Sequence, residues 1–364
     1  MVTVSVTIEQ LKQEAGAGPA ACCVRAQVDE VATKLTREQK PYLEVHLRDR
    51  TSGFPLRVWS DHPFYGFCCA LRPGNFVEVE GDFSVSPNFG LETKNWKIRF
   101  LAGDEKADLL AGSAELRERQ AADYAAIETF VGSVNDPRLH ALSHLFLREY
   151  GDRLRRAAGA RNYHHARRGG LVEHTAQMMR AGDAIARVYP ALNRDLLLAG
   201  ILFHDSGKLW ENCFPKESFI MPHDFRAELI GHIPMGVELV NRLWQRMKES
   251  PEFVSWNLLT PDSDLVRLHL IHLVAAHHGE KQLGSPVEPK TPEAMALHLI
   301  DNLDAKLEMM SSAYQVGKRL GQDVIERIRP LPTNVVTPLH TYCEAMHAPE
   351  VRSGSSANDT SPPA

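Results

Sequence analysis

The chain has 364 residues, 43% of them hydrophobic and 24% charged, and a formal net charge of −5. That length exceeds one ordinary core and suggests two domains, and the composition is that of a soluble globular protein. The acidic balance excludes a globally basic surface, so any nucleic-acid binding must use local patches.

Six cysteines stand as two adjacent pairs, Cys22-Cys23 and Cys68-Cys69, and two singles, Cys213 and Cys343. None has CxxC spacing, so reduced thiols are expected rather than disulfides or a zinc knuckle. The start, MVTVSVTIEQLKQ, has no charged segment followed by an apolar one, and no apolar run approaches about 18 residues. A cytoplasmic protein without membrane contact is expected.

The first hundred residues read as strands. CCVRAQVDEVATKL, YLEVHLRDRT, FPLRVWS, NFVEVEGDFSV and GLETKNWKIRF are short alternating segments rich in Val, Phe, Tyr and Trp. Turn signals such as Arg72-Pro73-Gly74-Asn75 and Pro87-Asn88 separate them. Five strands at that spacing fit a small closed β-barrel of the OB type, with another small barrel or a sandwich as the rival arrangement. A polar stretch from Gly103 to Arg119 follows. From Ala121 onward the period is helical, through YAAIETFVGSV, ALSHLFLREYGDRLRRAA, GLVEHTAQMMRAGDAIARVY, RDLLLAGILFHD, AELIGHIPMGVELVNRLWQRMK, DLVRLHLIHLVAAHH and PEAMALHLIDNLDAKLEMMSSAYQVGKRL. The expected architecture is multi-domain: residues 1–105 a small OB-type barrel, 106–125 a linker or helix, 126–330 an all-α domain. Residues 331–364 form a C-terminal extension, with RSGSSANDTSPPA disordered at its end.

Within the helical part, Phe203-His204-Asp205-Ser206-Gly207-Lys208 ends an apolar run on an imidazole and a carboxylate side by side. Burying both is costly unless something compensates. Metal-capable residues recur along the helices: His174, His204-Asp205, His232, His277-His278 and Asp301, each in or at the end of a different predicted helix. Helical bundles build metal sites in this way. Adjacent residues on a regular helix point about 100° apart, so a vicinal pair serves one centre more easily at a helix end. Gly207 offers such a stop, and His277-His278-Gly279 repeats the arrangement. A cation would compensate the buried pair. A lone core histidine is more often merely hydrogen-bonded, and His140, His144, His269, His272 and His298 fit that description as helix-face residues.

The order His174, His204-Asp205, Asp301 resembles the H…HD…D signature of the HD-domain metal phosphohydrolases, and His232 and His277-His278 match the extra histidines of its two-metal members. YHHARRGGLVEHT, LLLAGILFHDSGK, ELIGHIPMG, AAHHGEKQLGSPVEPKTPEA and HLIDNLDAKL are similar to the YhaM-type 3′→5′ exoribonucleases, in which an OB-fold domain precedes the HD domain. The similarity covers roughly residues 20 to 310. It implies that His174, His204, Asp205 and Asp301 hold a first metal, and that Asp205 bridges to a second held by His232, His277 and His278. Imidazole with carboxylate suits Mn²⁺ first, with Fe²⁺, Co²⁺ or Zn²⁺ as alternatives. Lys208, one turn past the pair, is a candidate catalytic donor to phosphate or nucleophile, against the plainer reading of a solvated helix-end lysine.

GDRLRRAAGARNYHHARRGG carries six arginines against one acid just before His174. Such a run is usually a solvated face, but its place at the mouth of the expected centre makes His165, Arg167 and Arg168 candidates for phosphate contact. Lys290, in the loop beside His278, is another, against a plain surface lysine. The first hundred residues hold 12 basic and 12 acidic side chains, so that region is neutral. Tyr42, Trp59, Phe89 and Trp96 could stack on bases or fill the barrel.

The expected function is a metal-dependent 3′→5′ exonuclease of single-stranded RNA, with DNA also open, releasing nucleoside 5′-monophosphates. Two other readings are an HD-type phosphohydrolase of a free or cyclic nucleotide and a non-catalytic nucleic-acid-binding protein. Assembly as a homo-oligomer is left open.

Overall fold

Alternation carries the first hundred residues into a sheet. In chain order come β1 (Ser5–Val6), α1 (Ile8–Ala17), β2 (Ala20–Leu35), β3 (Pro41–Arg48), β4 (Gly53–Trp59), α2 (Tyr65–Ala70), β5 (Phe76–Ser86) and β6 (Gly90–Phe100). The strand order is β4-β3-β2-β5-β6, with β1 parallel on β2. The long β2 pairs with β5 through its first half and with β3 through its second, and its register shifts between Val28 and Glu30. Inward residues such as Val24, Val45, Leu56, Val79 and Phe83 make the core, which α1 closes with Ile8 and Leu11 and α2 with Cys68 and Leu71. Among the described residues no ladder joins β4 to β6, so strand pairing does not show the closed barrel expected from sequence. The two helices, absent from the strand pattern, cover part of the core that closure would have sealed.

The computed structural model describes residues 5–86, 90–161 and 165–339. Phe89, Cys343 and the polar tail therefore lie outside the described residues. The described residues up to 309 form one compact unit and those from 310 to 339 a second. No helix is long and apolar enough to cross a membrane among the described residues. The described cysteines are all free thiols.

Residues 106–125, expected as a linker or helix, span two helices: α3 (Gly103–Ala111) and α4 (Ala114–Gly132), the latter capped by the Ser113 hydroxyl. Then follow α5 (Pro137–Leu154), α6 (Gly170–Val188), α7 (Arg194–Phe203), α8 (Lys208–Glu211), α9 (Phe225–Ile230), α10 (His232–Lys248), α11 (Pro251–Trp256), α12 (Ser263–Ala276) and α13 (Pro292–Val316). Asp136 caps α5 and Pro137 occupies its first turn, where a missing N–H does no harm. The run AELIGHIPMG is broken in two by Gly231, whose φ of 73° ends α9 and lets α10 begin on His232. α4, α5, α6, α7, α10 and α12 bury one continuous core, with Phe146, Phe203, Leu243 and Trp244 at its centre. In the second unit β7 (Val324–Ile325) pairs with β8 (Val335–Val336).

Candidate metal centre

Four helix ends and two helix interiors meet at Asp205. α7 stops at Phe203, which leaves His204 and Asp205 in the turn before α8, and the pair can therefore address one centre. The glycine that follows acts differently from the stop expected of it. Gly207 keeps right-handed φ and ψ of −67° and −24°. What it supplies is room, since a Cβ there would stand 2.0 Å from the His232 carbonyl oxygen. That approach sets the start of α10 against the His204-Asp205 turn. At the end of α12, Gly279 does take a left-handed φ of 80°, and the turn presents His277 and His278 together. His174 comes from within α6 and Asp301 from within α13.

The structure brings all seven expected ligands together, and they fall into two groups that share Asp205. In the first, His174 Nε2 lies 3.2 Å from His204 Nε2 and 3.3 Å from Asp301 Oδ1. Asp205 Oδ2 lies 3.2 Å from His204 Nε2 and 3.8 Å from His174 Nε2. In the second, His232 Nε2 and His277 Nε2 each stand 3.6 Å from the other oxygen, Asp205 Oδ1. His232, His277 and His278 place ring nitrogens within 4.8 Å of one another. Ligand atoms about 2.0–2.2 Å from a common ion sit about 3.0–3.5 Å apart, so the spacing suits a cation in each group.

The hydrogen bonds say the same. The Nδ1 atoms of His204, His277 and His278 donate to the carbonyls of Ile201, Val274 and Leu283, each at 2.7 Å. That fixes the tautomer and leaves each Nε2 lone pair facing inward. Among the described residues, Asp205 Oδ1, His232 Nε2 and His277 Nε2 are buried without a hydrogen-bond partner. Three such atoms aimed at one point would be an unrepaid cost in a plain core, and a divalent cation removes it. The donor set therefore fits divalent metal, with one Asp205 oxygen facing each ligand group.

Electrostatics hold the carboxylates ionised. Burial would raise the Asp205 pKa, but the Lys208 ammonium and His204 hold it well below the usual carboxylate range. Asp301 is likewise depressed against burial, chiefly by its hydrogen bond from His174. His174 moves the other way: burial opposes its charge, yet Asp301 and Asp304 push it up to about 9. Burial lowers His277, and burial together with His277 lowers His278 to about 4, so both rings stay neutral ligands. Lys208 is not the solvated helix-end lysine of the plainer reading. It is buried, with Nζ 2.7 Å from Asp205 Oδ2.

The phosphate candidates sit elsewhere. His165 is fully buried, its Nε2 2.9 Å from Asp304 Oδ2. Arg167 is ion-paired with Glu173 and Glu308. Arg168 donates to the carbonyls of Pro215 and Lys216 at 2.6 and 2.9 Å. The arginine run is neither a solvated face nor an open cationic surface. Arg156, Arg161 and Arg168 donate to the carbonyls of Phe214, Met221, Pro222, Pro215 and Lys216, clamping the loop that leads from α8 to α9, and Arg153 donates to Leu209 within α8. Lys290 is exposed, and its backbone N–H donates to His272. In the sheet, Trp96 is a core residue stacked on His62, so it cannot serve a base, whereas Tyr42 and Trp59 form a pair with ring centroids 4.9 Å apart.

Two residues went unnoticed in the sequence. Asp304 accepts from His174 Nδ1 at 2.6 Å, and Glu211 lies 3.0 Å from His232 Nδ1. Asp304 was within reach, because it follows Asp301 by three positions and so shares its helix face. Glu211 had no such signal.

The sequence profile of the HD domain matches residues 171–306. The chain is 28% identical to the 3′-5′ exoribonuclease YhaM of Bacillus subtilis (strain 168) over 80% of its own length and 83% of that protein's. Against the proteins of the same name from Geobacillus sp. (strain WCH70) and Shouchella clausii (strain KSM-K16) the identities are 28% and 29%, over 80% and 79% of this chain and 84% of each relative. Residues 171–306, which hold the two ligand groups, match the HD domain, and the chain is similar to the proteins named YhaM over about four-fifths of its length.

Proposed function

We propose that the protein is a metal-dependent 3′→5′ exonuclease of single-stranded RNA that releases nucleoside 5′-monophosphates. The observation that carries this is the convergence of two ligand groups on the two oxygens of Asp205, where Asp205 Oδ1, His232 Nε2 and His277 Nε2 are buried without a hydrogen-bond partner among the described residues. The relatives' shared name supports the direction and the substrate. Imidazole with carboxylate suits Mn²⁺, Fe²⁺, Co²⁺ or Zn²⁺ more than Mg²⁺ or Ca²⁺. When bound, two divalent cations supply an activated water and a clamp on the phosphoryl oxygens.

The chain's own residues do the rest. Asp205 offers one oxygen to each group and fixes their separation. His174, His204 and Asp301 hold one side, and His232, His277 and His278 the other. Lys208 has its pKa raised by Asp205 against burial. Its Nζ, 2.7 Å from Asp205 Oδ2, is the candidate hydrogen-bond donor to phosphate.

We also read the sheet region as an OB-type fold that holds the strand. Its strand order, the long bent β2 shared between two neighbours, and α2 placed between β4 and β5 support this. Tyr42 and the 47%-exposed Trp59 offer a stacking pair for unpaired bases. Lys290, exposed in the loop that follows His278, remains the phosphate contact best placed to reach solvent-borne substrate.

The test uses purified full-length protein with Mn²⁺ and single-stranded RNA labelled at either end, with DNA in parallel. A 3′ label should appear at once in mononucleotide, while a 5′ label descends a ladder. Release of the 5′ label first, or intact RNA alongside hydrolysis of a cyclic nucleotide, would overturn the proposal.

A further inference from the structure

Five imidazoles face the two groups, and what stands behind each ring divides them. His204, His277 and His278 are backed by neutral backbone carbonyls. His174 and His232 are backed by carboxylates, Asp304 at 2.6 Å and Glu211 at 3.0 Å. One carboxylate-backed imidazole thus falls to each group. A carboxylate draws on the Nδ1 proton, orients the ring and makes Nε2 a stronger donor, where a carbonyl only orients it.

Asp304 is itself held. Its Oδ2 also lies 2.9 Å from His165 Nε2, so one oxygen bridges two imidazoles. His165 takes a φ of 48°, which a residue with a Cβ rarely adopts. The turn is tight enough that a Cβ on Gly170 would meet the His165 carbonyl oxygen at 2.1 Å. Strain of this kind persists where the surroundings determine one geometry. Here it delivers a buried ring to the back of Asp304. The three residues His165, His174 and Asp304 also resemble a metal site by proximity. A third cation there would need His174 Nδ1, while the first group already uses Nε2, so an imidazole would have to lose both protons. Hydrogen bonding to Asp304 is the reading that leaves Nδ1 its proton and Nε2 for the first group.

Building on the two-cation reading, we infer that Asp304 and Glu211 are positioning residues that each set the affinity of one cation, with His165 holding Asp304 in place. Asp304 acts through His174 on the first group, and Glu211 acts through His232 on the second. The role of His165 is then behind the metal centre and not on the phosphate.

The test is titration of metal-free full-length protein with Co²⁺, followed by visible absorption and by metal retained per chain. Asp304→Asn should weaken one of two binding steps by about 10- to 100-fold and spare the other, and Glu211→Gln should do the reverse. His165→Leu should weaken the same step as Asp304→Asn, by less. Melting of each metal-free variant within a few degrees of the parent is the fold control. Should Asp304→Asn not fold, the partly exposed Glu211 carries the test by itself. Two steps unchanged in the variants would overturn the inference and leave the two-cation reading standing. Three Co²⁺ per parent chain would overturn the hydrogen-bonding argument. No Co²⁺ bound by the parent would instead overturn the metal reading beneath it.

Discussion

Both the sheet region and the helical region bury carboxylates, and they satisfy them differently. In the sheet, Asp49 Oδ2 accepts from the Ile8 N–H at 2.7 Å, and Oδ1 accepts from Thr51 and Ser52. Glu44 is surrounded by Lys34, His46 and Arg57. Each has protein partners on both oxygens. In the helical region Asp205, 3% exposed, pairs one oxygen with Lys208 and leaves the other without a hydrogen bond, facing two imidazole nitrogens equally unpartnered. Burial alone does not mark chemistry, since a satisfied carboxylate is architecture. Burial with an unfilled valence, shared by several residues at one point, marks it.

The comparison breaks most readily at Asp205. Asp205→Asn keeps the shape and removes the charge between the two groups, so turnover on RNA should fall by about a thousandfold or more, with fewer than two metals retained. Metal-free melting should fall, because the buried Lys208 ammonium, 2.7 Å from Asp205 Oδ2, loses its counter-charge. If turnover stayed within tenfold of the parent, Asp205 would be architecture after all. Asp49→Asn, by contrast, should lower the melting temperature and leave metal content unchanged.

The sheet's contribution can be separated next. Removing both rings with Tyr42→Ala and Trp59→Ala should cost about 1–3 kcal/mol per lost base stack, which is roughly 5- to 150-fold in KM for a long strand. An activated phosphodiester too short to reach the sheet should react as before. Equal losses on both substrates would mean that the pair serves folding.

Gly207 tests whether the centre depends on a close backbone approach. A methyl there must displace the His232 carbonyl, so Gly207→Ala should destabilise by about 1–3 kcal/mol. It should also weaken the cation held by His232 more than the one held by His174. Calorimetry with and without Mn²⁺ checks both.

The smallest effect concerns satisfied carboxylates in the helical region. Glu173 is buried; burial would raise its pKa, but Arg167 and Gln120 depress it. A depressed folded pKa gives stability that is present above the ordinary carboxylate range and lost as pH falls through the folded value. Glu173→Gln should therefore cost about 1 kcal/mol at pH 7, with the gap from the parent closing below about pH 4. Melting curves across that range check the sign; a gap that widens on acidification would refute it.

Periodicity is a local property, and the parts it governs were legible. β6 occupies the expected GLETKNWKIRF, and α6 and α7 begin where their apolar runs begin. Short helices were not legible: α2 and α11 carry too few turns for a period to show against strand or loop. The break at Gly231 was hidden because apolar spacing continues across it. The arginine run was legible as charge and misleading as chemistry. Whether a guanidinium meets phosphate or a carbonyl depends on the loop folded against it, and that loop lies about fifty residues away.

What the sequence determined by itself is the inventory: two kinds of secondary structure in two blocks, and a set of histidines and aspartates at the ends of apolar helical runs. Those follow from residue type and spacing, because a buried ionisable group demands compensation wherever the chain places it. Only the tertiary structure decided the pairing. It assigned one oxygen of Asp205 to each group, placed carboxylates behind two of five rings, and turned His165 from the mouth of the site to its back. Such assignments depend on distances of about 3 Å between residues that lie from three to more than a hundred positions apart, and hydrogen bonding at that range is set by packing, not by spacing along the chain.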